Sequence, residues 1–257
     1  MKKGQSLWTR EELILAMNLY CKLPFGKLHS RNPDVIELAQ LLSRTPGSVA
    51  YKLVNLASLD PALRARGIKG ATNASKLDEA VWNEFYGNWE QLPYESEKLL
   101  ARSQHTTVED LNHIPEELLP REGRERERIV KVRVNQAFFR KMVLASYNDT
   151  CCITGIRQRE LLVAGHIRPW KLDADNRLNP HNGIALNSLH DRAFEAGLIT
   201  ITPGYTVLVS PILHKQHKSP EVQEYFLRYH NQKIRLPERF LPEREFLEYH
   251  GRERFKA

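Results

Sequence analysis

Three side chains in the C-terminal half of the chain have types that proton transfer and cation binding can use: His166, Asn182 and His190. A neutral imidazole, with a reference pKa of about 6.5, can take a proton from water near neutral pH or offer a lone pair to a metal. A carboxamide between two such rings both donates and accepts hydrogen bonds, which suits it to fixing a turn. Asp173, Asp175, Asn187 and Asp191 lie nearby in sequence and add oxygen donors of the kind hard divalent cations prefer.

The elements that must hold these groups can be read from pattern. Residues 161–167 form a short apolar run of strand character with His166 near its end, and Arg168-Pro169-Trp170 breaks it. A polar loop through Asp173, Asp175 and Asn179-Pro180 leads to a second short strand over 182–186. Ser188 is placed to cap a helix over 189–196, with Asp191 as its capping-box partner, and Gly197 stops that helix. His190 then falls in the first helical turn, and His181 reads as a loop residue.

This order is strand with histidine, loop, strand opened by asparagine, helix with histidine. It is preceded by Cys152-Ile153-Thr154-Gly155 and closed by His190-Asp191-Arg192-Ala193-Phe194-Glu195-Ala196-Gly197-Leu198. In these respects it resembles the HNH (ββα-metal) nuclease family, and more closely the restriction-type HNH endonucleases. The resemblance covers about half the chain, from roughly Val134 onward. It implies hydrolysis of phosphodiester bonds in double-stranded DNA, with His166 as general base. Asn182 would orient that base and fix the turn, and His190 would bind the metal. Both imidazoles must then meet around one divalent ion per site, Mg²⁺ or Mn²⁺.

Two departures from the family pattern stand out. Many relatives place Asp or His directly before the base, whereas this chain has Gly165. The second protein ligand is therefore left open among Asn187, Asp191, Asp173 and Asp175, and Asp191 is also readable as a helix cap alone. Relatives often hold a structural zinc between two Cys-x-x-Cys knuckles. Here Cys152 has no such partner and no later Cys pair follows, so no structural zinc is expected. Arg168 is a candidate contact for the scissile phosphate. A homodimer would supply the two active sites that double-strand cutting needs. By analogy the biology is restriction of invading DNA. The alternatives are a homing or mobile-element enzyme, a loosely specific defence nuclease, or a non-catalytic DNA-binding regulator on an HNH scaffold.

The N-terminal part reads as helical. Thr9-Arg10-Glu11-Glu12 is a capping box, followed by Leu13, Met17 and Tyr20 at helical spacing. Asn32-Pro33 opens a second helix, and Thr45-Pro46 opens a third after a short turn. In the third helix Val49, Leu53 and Leu56 make an apolar stripe, while Ser48, Lys52 and Asn55, with Arg44 just ahead, make a polar one. Two capped helices joined by a tight turn, the second with base-reading residue types, describe a helix-turn-helix that presents Arg44, Ser48, Lys52 and Asn55 to DNA. The opening also resembles Myb/SANT-type helices over about a dozen residues. Trp82, Phe85, Tyr86 and Trp89 are expected in the core of this domain.

The sequence thus predicts an α+β chain with three parts: a helical, helix-turn-helix-like DNA-reading domain over 1–95, a charged linker over 96–128 and a ββα-metal HNH nuclease domain over 129–257. A helix through 134–144 is expected to pack Phe138, Phe139, Met142 and Val143 on the nuclease domain. A hairpin is expected about Pro203-Gly204. Lys plus Arg total 38 against 31 for Asp plus Glu, a net charge of +7 that suits a polyanionic partner. No run approaches the roughly 18 apolar residues of a membrane span, and the first residues lack a signal-peptide pattern, so a cytoplasmic location is expected. Cys21, Cys151 and Cys152 give no disulfide framework.

Overall fold

The structure is a computed structural model that describes residues 6–67 and 74–257. It divides into two compact units, Met1–Lys141 and Met142–Ala257. The stretch 96–128 lies within the first of these units.

The first unit is built from α1 (Arg10–Lys22), α2 (Pro33–Leu41), α3 (Pro46–Leu59), α4 (Pro61–Ala65), α5 (Lys76–Phe85), α6 (Gln91–Ser103), α7 (Val108–Leu111) and most of α8 (Arg124–Ser146). The caps read from sequence are present: Thr9 and Glu12 form a reciprocal box, and Asn32 and Thr45 accept from backbone amides. α1 is central, packing against α2, α3, α5 and α6 through residues such as Leu13, Met17 and Tyr20, all fully buried. Trp82, Phe85 and Trp89 are buried as expected, with Trp82 stacked on Tyr86. Phe138 of α8 meets Lys22 Nζ at 5.7 Å, a contact inside the helical unit.

The polar stripe of α3 is a correction to the sequence reading. Lys52 is 7% exposed and Asn55 2% exposed. Lys52 Nζ donates to both oxygens of Asp78 at 2.8 and 2.9 Å. Arg44 pairs with Glu12 at 2.7 Å, donates to the carbonyls of Ser6 and Leu7, and lies over the Trp8 ring. Ser48 is half-buried. The physical reason is that Asp78, in the first turn of α5, presents a buried carboxylate that a lysine from α3 neutralises. Helical spacing cannot reveal such a partner. What α3 exposes instead includes Gly47 and Tyr51.

The second unit contains two antiparallel hairpins and four helices. β1 (Leu162–His166) pairs with β2 (Gly183–Asn187), register His166 opposite Gly183. β3 (Ile199–Ile201) pairs with β4 (Val207–Val209) around the expected Pro203-Gly204 turn. α9 (Ser188–Glu195) lies against β1, β2 and β3. α10 (Pro211–His214) and α11 (Pro220–Tyr225) follow, and α12 (Arg244–Glu253) packs on β3. Cys151 and Cys152 are buried free thiols. Among the described residues no helix is long and apolar enough to cross a membrane.

Candidate active site

β1, β2 and α9 form a strand–strand–helix unit whose long β1–β2 loop is organised by Asn182. Asn182 is completely buried at the end of a single helical turn, Pro180–Asn182. Its Oδ1 accepts from the Arg168 amide at 2.7 Å, and its Nδ2 donates to the carbonyls of Arg168 and Asn176 at 3.2 and 3.1 Å. One carboxamide therefore ties both ends of the loop, a task that needs a donor and an acceptor on one side chain.

That loop in turn orients His166. Its Nε2 lies 2.8 Å from the Arg177 carbonyl oxygen, so Nε2 carries the proton and Nδ1 is the basic nitrogen of the neutral ring. Arg177 is held by its own bond from Nε to the Trp170 carbonyl, and Trp170 meets the imidazole edge-on at 5.4 Å. Burial pushes the His166 pKa below its ordinary value, against the opposing pull of the Arg177 carbonyl. His166 is consequently neutral at physiological pH, as a general base must be.

The helix differs from the sequence reading at its cap. The cap of α9 is Asn187, not Ser188: its Oδ1 accepts the His190 amide at 2.9 Å, while Ser188 Oγ bonds to the Leu161 carbonyl. His190, in the first turn of α9, points inward. His190 is 2% exposed, with Nδ1 3.0 Å from Asn187 Oδ1, Nε2 2.8 Å from the Tyr225 carbonyl, and the Phe226 and Tyr229 rings centred 5.5 Å from its own. The expectation that two imidazoles converge on one ion is therefore corrected: His190 is absent from the cavity that His166 lines.

Asp191 stands there instead. A cavity of about 650 Å³ is bounded by β1, the Pro169–Leu172 stretch, α9 and α12, and is lined by His166, Trp170, Lys171, Asp191, Glu195 and Arg254 among others. Asp191 Oδ1 sits 2.6 Å from where a Cβ on Gly165 would be, so the glycine directly before the base makes room for this carboxylate. Burial, then the negative charge of Glu195, raises the Asp191 pKa from 3.8 to about 6. Asp173 and Asp175, the other candidates, do not line the cavity. Asp173 bonds to Asn176 and pairs with Arg168 at 3.1 Å. Arg168 is further held over the Tyr249 ring, so it serves the loop rather than an open phosphate site.

Among the described residues no group of three or more His, Cys, Asp or Glu is arranged to hold a metal. Asp191 and Glu195, one helical turn apart, both line the cavity and offer hard-oxygen donors. That donor set fits Mg²⁺ or Mn²⁺, which typically take one or two carboxylates and complete their shells with water and phosphate oxygens. The sequence reading missed Glu195, Lys171 and Arg254. The i, i+4 spacing of Asp191 and Glu195 was the available signal.

The chain matches no curated protein. Residues 151–202 match a family model described as HNH endonuclease, a span that contains β1, β2, α9 and β3. Over this span, which includes the strand–strand–helix unit, the chain is similar to the HNH endonuclease family.

Proposed function

We propose that the chain is a metal-dependent DNA endonuclease in which His166 is the general base and Asp191, with Glu195, holds the cation. The observation that carries this reading is that a neutral, loop-anchored imidazole and a carboxylate with a raised pKa, apart in sequence, are brought by the fold to line one cavity. His166 Nδ1 would take a proton from the attacking water. Asn182 keeps the loop that orients it in place. A bound divalent ion would supply Lewis-acid stabilisation of the phosphate and of the leaving oxygen. Restriction of foreign DNA is the biology the resemblance favours. A homing or other defence nuclease shares the chemistry.

The test is digestion of supercoiled plasmid in Mg²⁺, Mn²⁺ or EDTA, with the parent and with His166→Ala. The expected result is cutting with either ion, none in EDTA, and a loss of about a thousandfold in His166→Ala with DNA binding retained. Undiminished cutting by His166→Ala would remove it from the role of base. An inert but DNA-binding parent would favour a regulator on a nuclease scaffold.

A further inference from the structure

The matched segment ends at residue 202, yet one wall of its cavity comes from the far C-terminus. α12 is fastened by His250, whose Nδ1 lies 2.9 Å from Thr200 Oγ1 and whose Nε2 bonds to the Phe194 carbonyl at 3.1 Å. The His250 ring also stacks on Phe194. After α12 the backbone crosses Gly197 so closely that a Cβ there would lie 2.0 Å from the Arg254 carbonyl oxygen. Gly197 has φ +71°, and its carbonyl accepts from the Lys256 amide at 2.9 Å. Ser210 Oγ bonds to the Lys256 carbonyl. This docking sets Arg254 Nη2 3.0 Å from the carbonyl of Glu195, the last residue of α9.

Three cations line the cavity: Lys171, Arg192 and Arg254. Arg192 is paired with Glu195 at 3.3 Å. Among the described residues Lys171 and Arg254 have no carboxylate within ion-pairing distance. A guanidinium has five N–H donors, and the bond to Glu195 uses one of them, leaving a fork that matches phosphate geometry.

We infer that Arg254 is a substrate-binding residue that grips a backbone phosphate adjoining the scissile one. This rests on the nuclease reading above. Arg254 holds the strand against His166 and Asp191 from a part of the chain outside the matched domain, and Lys171 adds a second point charge.

The experiment uses the full chain carrying His166→Ala and a fluorescein-labelled DNA duplex, with affinity followed by anisotropy across a salt series. Arg254→Gln keeps a donor for the Glu195 carbonyl but removes the charge. It should weaken binding about tenfold and flatten the dependence of log K on log salt by about 0.9, the signature of one lost phosphate contact. Arg254→Lys should restore the slope. In chains with His166 intact, Arg254→Gln should raise KM more than it lowers kcat. An unchanged slope, or weaker binding with no change of slope, would overturn the assignment while leaving a cutting parent as a nuclease. A parent that neither cuts nor binds would overturn both.

Discussion

In the helical unit Lys22, Arg44, Lys52 and Arg126 each reach a carboxylate from a distant part of the sequence, at 3.0, 2.7, 2.8 and 2.9 Å. Around the cavity of the second unit Lys171 and Arg254 reach none, and two carboxylates, Asp191 and Glu195, share one helix face. Burial of an ion costs several kcal/mol unless a partner and hydrogen bonds offset it. The first unit meets that condition internally, so its basic residues there are part of its packing. The second places charges of both signs on one cavity, and Asp191, partly buried there beside Glu195, has its pKa raised. Net basicity alone does not distinguish these cases. What matters is whether each charge is already neutralised by the fold.

The sharpest way to break this contrast is Lys52→Ala. It would leave Asp78 buried without its cation, so a stability loss of about 3 to 5 kcal/mol is expected in urea denaturation followed by tryptophan fluorescence. DNA affinity of the folded protein should hold. Preserved stability with lost DNA affinity would restore Lys52 to a reading face.

Asp191→Asn should cut cleavage by about a hundredfold and raise the Mn²⁺ concentration needed for half-maximal activity. The pH behaviour has a defined sign. The folded pKa of about 6 lies above the ordinary 3.8, so ionisation opposes folding, and stability is lost as pH rises between those values. The metal-free Asn variant should therefore melt higher than its parent above about pH 6 and alike below about pH 4. Cation binding to the parent should strengthen as pH rises through about 6. Melting curves that never diverge would argue against a raised pKa for Asp191.

His190→Gln tests the reassignment from the other side. Loss of buried hydrogen bonds should lower stability by about 1 to 3 kcal/mol. The half-saturating Mn²⁺ concentration should stay where it is, whereas a marked rise would return His190 to the metal. The smallest effect is expected from Gly197→Ala. Left-handed backbone and the Arg254 carbonyl together should cost about 1 to 2 kcal/mol in thermal melts. DNA affinity should fall in step with Arg254→Gln. A variant that melts lower but binds DNA as the parent does would separate the tail's docking from its grip on DNA.

Much of the fold could be read locally. The capping boxes, the Pro-initiated helices, the apolar faces of α1 to α3, the two hairpins and the glycine stop at 197 all depend on residues within a few positions of one another. The strand–strand–helix order that positions His166 and Asn182 was legible for the same reason. Side-chain direction on the helices was not. On α9 packing against Tyr225, Phe226 and Tyr229 took His190 into the interior, while Asp191 lines the cavity. On α3 a carboxylate 26 residues away decided that Lys52 belongs to the core.

By itself, then, the sequence determined which short segments become strands and helices and which of them carry groups suited to proton transfer and cation binding. Tertiary structure alone decided which of those groups share a cavity, and that a C-terminal arginine joins them. The physical reason is that secondary structure is set by local hydrogen bonding and periodicity. Whether a charge is neutralised or left facing solvent depends on partners that only packing brings near.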